Sequence, residues 1–224
     1  AISSHHLCDT SAIALEGIEV IPVYILRHPL ERILSVYDFE RKQDSFSPGA
    51  IAAKKYNFKD YVQWRMEPNV NGVIRNYQTI YLAGLQSTYK TNDCTADVFS
   101  AAMVRVQNSL VGLVEEFDAS MIKFEAALKR RDMDIDLSYI KQNIGSERST
   151  ASGNAVSFIA EVLGDIFKEV LSKNSYDLAL YCAVTQLLEK EQVTEYPDKL
   201  ADFKRRCAHL SQRNPQLLNS ADRL

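Results

Sequence analysis

A nearly continuous apolar run, followed by apolar residues at helical spacing, predicts a strand and then a helix near the start of the chain. Residues 18–26 (IEVIPVYIL) are almost uniformly apolar and rich in Val, Ile and Tyr, which is typical of a buried strand of a parallel sheet. Pro29 stands where a helix takes its first residue, and apolar residues then recur at helical spacing up to about Gln43. The first part of the chain therefore predicts a strand, a tight turn and a helix.

The same alternation continues towards the C-terminus. Residues 47–55 (SPGAIAAKK) predict a loop, because Pro, Gly and small residues dominate them. Residues 109–114 (SLVGLV) predict a second strand, and Asp118 then predicts an N-cap for the helix that follows. The other predicted helices are 58–66, 97–107, 119–131, 154–173, 176–190 and 198–210. This order predicts a single α/β domain over residues 1–224, whose C-terminal third is mostly helical.

Composition narrows the function classes. The 224 residues carry a formal net charge of −3, whereas a general nucleic-acid binder is usually basic. No run of apolar residues approaches the length of about 18 that a membrane span needs. The four cysteines are too far apart for a metal knuckle, and they predict free thiols. We expect a soluble, cytoplasmic protein, with the Golgi lumen and a membrane anchor outside this chain as the alternative.

The chemistry of the predicted turn suits a phosphate group. Arg27 follows the first strand, a helix begins immediately afterwards, and Ser35 lies two turns into that helix. Ligands of open α/β sheets bind beyond the carboxyl ends of strands, where a helix N-terminus presents free N–H groups to an anion. Arg27 would add a permanent charge and Ser35 a hydroxyl donor.

Residues 27–37 (RHPLERILSVY) resemble the 3′-phosphate-binding motif of sulfotransferases that use 3′-phosphoadenosine 5′-phosphosulfate (PAPS), in their carbohydrate branch. The family pattern is Arg-Asp-Pro, two residues, Arg, two residues, Ser, one residue and an aromatic residue. His28 departs from it. Three further segments resemble the branch that contains heparan-sulfate 2-O-sulfotransferases: 76–84 (NYQTIYLAG), 111–118 (VGLVEEFD) and 176–181 (YDLALY).

The resemblance implies an activity and a set of site residues. It implies a P-loop-like parallel sheet flanked by helices, and transfer of a sulfuryl group from PAPS to a hydroxyl of a carbohydrate, with PAP as product. Arg27 and Ser35 would hold the 3′-phosphate. Residues 2–6 (ISSHH) resemble the short strand that supplies the family's general base, so His5, or else His6, would be that base, since an imidazole accepts a proton at neutral pH. Taken alone, a pair of histidines near the start of a chain is interpreted as a solvated tail. A second nucleotide contact is expected from Arg148, Asn143 and Ser149, although that loop is equally interpreted as a solvated cap of the next helix. The reaction requires no metal.

One expected feature is missing. The family has a loop of the type Pro-Lys-x-Gly-Thr-Thr that grips the 5′-phosphosulfate, and this sequence does not contain it. We therefore expect the activity to belong to a longer parent protein.

The alternative function is a catalytically inactive nucleotide-binding or scaffold module. A P-loop kinase is the rival enzyme class, but it would need a Gly-rich loop that this sequence does not contain. The helical C-terminal third is a candidate surface for homo-oligomers. The acceptor is left open between a glycan, a lipid-linked sugar and a small alcohol. An acidic glycan could meet a group of scattered basic residues, which are otherwise interpreted as a solvated face: Arg41, Lys42, Lys54, Lys55 and Arg75.

Overall fold

Two parallel strands form the sheet of the described chain. The computed structural model describes residues 19–84, 94–141, 152–190 and 196–215. Strands β1 (Val23–Leu26) and β2 (Leu110–Leu113) pair in register, with Leu26 opposite Leu113, so both end at the same edge of the sheet. Parallel strands need a long crossover connection, and most of the described residues between the two strands accordingly form helices.

Helices make up most of the described residues. They are α1 (Pro29–Lys42), α2 (Pro48–Lys55), α3 (Phe58–Met66), α4 (Tyr77–Leu82), α5 (Ala96–Gln107), α6 (Phe117–Lys129), α7 (Ser152–Leu163), α8 (Phe167–Lys173), α9 (Ser175–Lys190) and α10 (Tyr196–Arg213). The predicted α/β class with a mostly helical C-terminal third is thus confirmed at this coarse level. Within the described ranges, none of the helices combines the length and hydropathy that crossing a membrane requires.

Both predicted strands form, but over shorter ranges. Strand β1 begins only at Val23, because Pro22 has no N–H group to donate to a neighbouring strand. Pairing starts at the carbonyl of Pro22, which accepts a hydrogen bond from the backbone N–H of Leu110 at 2.9 Å. The apolar residues at positions 20–22 therefore lead into the strand without belonging to it.

The loop predicted over residues 47–55 is wrong, since this segment forms helix α2. Ser47 is its N-cap and accepts a hydrogen bond from the backbone N–H of Ala50, while Pro48 occupies the first turn. Gly49 is tolerated here because it packs against the ion pair of Glu40 and Arg65, and a Cβ atom on it would lie 2.2 Å from Arg65 Nη2. Pro and Gly thus mark the start of a helix here.

Two helix boundaries also differ from the prediction. The helix predicted over residues 154–173 is interrupted by a 3-10 turn, Gly164–Ile166, in which Gly164 has a φ of +54°. An L-residue rarely adopts this conformation, so the glycine ends α7. Asp118 is not the N-cap of α6, because the helix begins at Phe117 and Glu116 precedes it.

The buried side chains divide into three clusters. The first joins α1, α2, α3, α7 and α8 around Ile33 and Tyr61. The second packs the two strands against α4, α5 and α9 through Leu26 and Leu180. The third joins α6 to α10 through Phe203. The second cluster positions the candidate site, because it fixes where both strands end.

A buried ion pair lies beside the first cluster. Arg65 Nη2 lies 2.5 and 2.7 Å from the two carboxylate oxygens of Glu40. Tyr61 donates its hydroxyl to Glu40 Oε2 at 2.5 Å and accepts a hydrogen bond from Arg65 Nε at 2.9 Å. Burial and the carboxylate of Glu40 raise the pKa of Tyr61, so its hydroxyl stays protonated. Removing one member of such a pair leaves a buried charge without its partner.

Gly112 gives a test of how closely β2 packs against α6. A Cβ atom on Gly112 would lie 2.5 Å from Ser120 Cβ and 3.0 Å from Phe124 Cζ. We expect Gly112→Ala to lower the free energy of unfolding by about 1–3 kcal/mol, measured by urea denaturation. The double change Gly112→Ala with Ser120→Gly should cost less than the sum of the single changes. Strictly additive costs would show that contact with Ser120 is not the cause.

Candidate functional site

Arg27 lies where β1 ends and α1 begins. Its Nη1 donates a hydrogen bond to Ser35 Oγ at 2.5 Å, so the two side chains that the sequence predicts to bind a phosphate converge in the structure. Neither residue is fully buried. Ser35 reaches Arg27 because it lies on the second turn of α1, on the side that faces the end of the strand.

The backbone of Arg27 is held by the side chain of Gln78. The backbone N–H of Arg27 donates to Gln78 Oε1, and Gln78 Nε2 donates to the carbonyl oxygen of Arg27, both at 2.9 Å. One amide side chain therefore satisfies both backbone polar groups of Arg27. A neighbouring strand would make the same pair of bonds with its own backbone.

Gln78 belongs to α4, whose N-terminus is capped by the buried carboxylate of Asp177. Asp177 accepts hydrogen bonds from the backbone N–H of Gln78 (3.1 Å), the backbone N–H of Thr79 (2.8 Å) and the hydroxyl of Thr79 (2.7 Å). Burial raises the pKa of Asp177, whereas these hydrogen bonds and the charge of Arg32 oppose that rise. The free N–H groups at a helix N-terminus favour a carboxylate at this position.

The start of α9 is capped in return by Asn76, which immediately precedes α4. Asn76 Oδ1 accepts hydrogen bonds from the backbone N–H groups of Tyr176 and Asp177, both at 3.0 Å. Asn76 has a φ of 45°, a left-handed conformation that asparagine tolerates better than most residues. Asn174 Oδ1 in turn accepts from the backbone N–H of Asn76 at 3.2 Å. The N-termini of α4 and α9 thus cap each other.

Glu115, which follows β2, holds the residue after Arg27. The backbone N–H of His28 donates to Glu115 Oε1 at 2.8 Å, and the hydroxyl of Tyr181 donates to Glu115 Oε2 at 3.2 Å. The ring of His28 meets the ring of Tyr181 edge to face, with centroids 5.1 Å apart. The four segments that carry the resemblance are therefore linked to one another by hydrogen bonds around Arg27.

Arg32, the second arginine of the motif, connects α1 to the region before α4. Its Nη1 donates to the carbonyl oxygen of Val73 at 2.7 Å, and its guanidinium lies 3.8 Å from the centroid of the Tyr77 ring. Cation–π stacking of this kind favours arginine over lysine. Sequence reasoning identified Arg32 as part of the motif but not these two contacts, because their partners lie more than 40 residues away in the chain.

Several residues predicted from the sequence lie outside the described residues: His5, His6, Asn143, Arg148 and Ser149. Of the basic residues that could meet a glycan, Arg75 is buried, since only 5% of its surface is exposed. Its guanidinium donates to the carbonyl oxygens of Met66, Glu67 and Val70 near the end of α3. That part of the expectation is wrong: Arg75 satisfies carbonyl groups at a helix C-terminus.

A cleft of about 440 Å³ lies elsewhere, between α6 and α10. Its lining includes Ile122, Ile135 and Arg206. Arg206 already binds Glu125 through two hydrogen bonds of 2.9 and 2.8 Å and also pairs with Asp136 and Asp202. Its charge is thus neutralised by carboxylates of the chain. Among the described residues, no group of three or more His, Cys, Asp or Glu side chains is arranged to hold a metal ion.

His28 is the titratable group next to Arg27, and its environment predicts a pH effect. Its Nδ1 is buried and has no hydrogen-bond partner among the residues that the structure describes. Burial lowers the pKa of His28, against the opposing charges of Glu31 and Glu115. Tyr181 packs on the ring from α9.

Because the folded protein resists protonating His28 while the unfolded chain protonates it near pH 6.5, stability should fall as the pH drops below about 6.5. We expect His28→Gln to reduce the stability lost between about pH 7.5 and pH 5.5, as measured by urea unfolding at each pH. His209→Gln, which removes an exposed histidine of α10, is the matched control. An unchanged pH profile for His28→Gln would contradict the assignment.

Comparison with known proteins gives one relative. The chain is similar to an uncharacterized protein of Archaeoglobus fulgidus: the two are 30% identical over 195 residues, which span 85% of this chain and 76% of the archaeal protein. No protein-family profile matches the chain, and no solved structure matches it. At this identity and coverage, the chain belongs to the same protein family as the Archaeoglobus fulgidus protein.

Proposed function

We propose that the protein is a PAPS-dependent sulfotransferase that transfers a sulfuryl group to a hydroxyl of a carbohydrate. The observation that carries the proposal is the convergence of Arg27 and Ser35 at the carboxyl end of β1, with Nη1 and Oγ 2.5 Å apart. These are the two residues for which the sequence resemblance implies binding of the 3′-phosphate. The proposal also includes a P-loop-like sheet, to which β1 and β2 would belong.

The geometry around Arg27 suits a phosphate group for three reasons. The guanidinium is permanently charged and forms paired hydrogen bonds to phosphate oxygens. Ser35 supplies a hydroxyl donor beside it. The N-terminus of α1, which begins at Pro29, brings the positive end of a 14-residue helix to the same edge of the sheet. A phosphate oxygen placed between Arg27 and Ser35 would replace their mutual hydrogen bond with two charge-assisted ones.

The hydrogen bonds that hold the backbone of Arg27 suit a reaction that depends on precise positioning of the donor. In-line transfer requires the sulfur atom to be aligned with the attacking hydroxyl, so a donor held at its 3′-phosphate must be held rigidly. Gln78 and Glu115 fix the backbone of Arg27 and His28 from α4 and from the end of β2. Because both supports come from packed elements, the anchor for the nucleotide is a rigid part of the fold.

The proposed reaction breaks the bond between sulfur and the 5′-phosphate oxygen of PAPS and forms a bond between sulfur and the acceptor oxygen. The acceptor hydroxyl loses its proton to His5 or His6, and PAP leaves with the electron pair of the broken bond. Arg27 and Ser35 retain the 3′-phosphate throughout. No covalent intermediate with the protein is needed.

The first test of the proposal is selective binding of the nucleotide product. We expect the protein to bind PAP more tightly than AMP in isothermal titration calorimetry, because only PAP carries a 3′-phosphate. Arg27→Ala should weaken PAP binding by about 2–5 kcal/mol, since it leaves the phosphate without its main counter-charge. Arg41→Ala, which removes an exposed arginine at the other end of α1, is the matched control.

Equal affinity for PAP and AMP would show that no 3′-phosphate site exists and would overturn the assignment. A larger loss for Arg41→Ala than for Arg27→Ala would place the anion at a different part of α1. If PAP binds selectively but no glycan acceptor causes release of PAP from PAPS, the result would support the inactive nucleotide-binding module instead of the enzyme.

The second test separates the base from the anchor. We expect His5→Ala to lower kcat by about 10²–10⁴-fold while the affinity for PAP changes little, because a general base acts on the acceptor hydroxyl in the transition state. The measurement is PAP release with a sulfate-accepting glycan. His6→Ala is the paired variant, and a large effect there in place of His5 would assign the base to His6. If neither variant slowed turnover, the base would not be either histidine.

A further inference from the structure

We propose that Gln78 is a positioning residue that sets the direction in which Arg27 presents its guanidinium to an anion. The inference rests on the proposed function, since it assigns a role within the same phosphate site. The structure places the Gln78 amide on the backbone of Arg27, whereas Arg27 Nη1 bonds Ser35. Gln78 would therefore act through Arg27, and it is not proposed as a catalytic residue.

The two hydrogen bonds of Gln78 constrain Arg27 on both sides of its Cα atom. One reaches the N–H group before the Cα atom, and the other reaches the carbonyl oxygen after it, both at 2.9 Å. Together they limit φ and ψ of a residue that lies beyond the last paired residue of β1. Beyond that point the strand ladder no longer fixes the backbone, so the side chain of Gln78 takes over that function.

Gln78 can do this because its own position is fixed. The side chain is buried, with 7% of the residue exposed, and its backbone N–H donates to the fully buried Asp177. Asn76, two residues earlier, is tied to the first turn of α9. The amide is therefore presented from a short helix whose start is held on both sides by α9. A glutamine on an open surface would have to lose side-chain entropy to make the same two bonds.

A small rotation of the Arg27 backbone would displace the guanidinium considerably, because the guanidinium is far from the Cα atom. Over a lever of roughly 6 Å, a rotation of about 10° at the backbone moves the guanidinium by about 1 Å. A misplacement of this size in a positioning group can cost up to about 100-fold in rate. The hydrogen bond of Arg27 to Ser35 alone does not fix the backbone, since it acts at the far end of the side chain.

The experiment compares two variants that both remove buried hydrogen bonds. Gln78→Met keeps the length of the side chain and removes both bonds to Arg27. Tyr61→Phe is the matched control, because it removes two buried hydrogen bonds in the first core cluster without touching Arg27. The measurements are the dissociation constants of PAP and AMP by calorimetry and the free energy of unfolding by urea denaturation.

We expect Gln78→Met to reduce the preference for PAP over AMP by about 10-fold or more, while Tyr61→Phe loses stability and keeps that preference. Gln78→Glu retains the acceptor for the Arg27 N–H and should lose less of the preference than Gln78→Met. It also replaces the first variant if Gln78→Met does not fold.

Two outcomes would overturn the inference, and they differ in what else they overturn. In the first outcome, the unsubstituted protein prefers PAP, and both Gln78 variants keep the full preference while losing stability as Tyr61→Phe does. Gln78 is then only structural, and the proposed function stands. In the second outcome, the unsubstituted protein shows no preference for PAP, so the proposed function fails and the inference fails with it.

Discussion

The buried carboxylate of Asp177 is the contact on which the geometry of the candidate site depends. It accepts three hydrogen bonds from the first turn of α4 and so holds this six-residue helix in place. A helix this short is not stable by itself, so its position must come from tertiary contacts. Because α4 carries the Gln78 amide that binds Arg27, Asp177 of α9 fixes an arginine 150 residues earlier in the chain.

An anion is expected to bind at the end of the strands and not in the cleft between α6 and α10. In the cleft, Arg206 is saturated by the carboxylates of Glu125, Asp136 and Asp202. At the end of β1, the guanidinium of Arg27 donates to the neutral hydroxyl of Ser35, which can itself donate to an anion.

Sequence patterns predicted the parts of the fold that depend on neighbouring residues. Apolar spacing and Pro29 predicted β1 and α1, and the resemblance implied that Arg27 and Ser35 contact the same phosphate. The pattern could not predict α2, since Pro48 and Gly49 mark turns unless a cap such as Ser47 and a partner such as the ion pair of Glu40 with Arg65 select a helix. The pattern also could not show that Gln78 binds Arg27, because the two residues are distant in the chain. Nor could it show that Arg75 is buried, because burial depends on packing.

The central claim is that Arg27 and Ser35 bind the 3′-phosphate of the nucleotide donor, and a crystal structure of the protein with PAP tests it most directly. The account predicts the 3′-phosphate within hydrogen-bonding distance of the Arg27 guanidinium and Ser35 Oγ, with the bonds from Gln78 to the Arg27 backbone unchanged. PAP bound in the cleft beside Arg206, or bound beside Arg27 through its 5′-phosphate alone, would contradict the account.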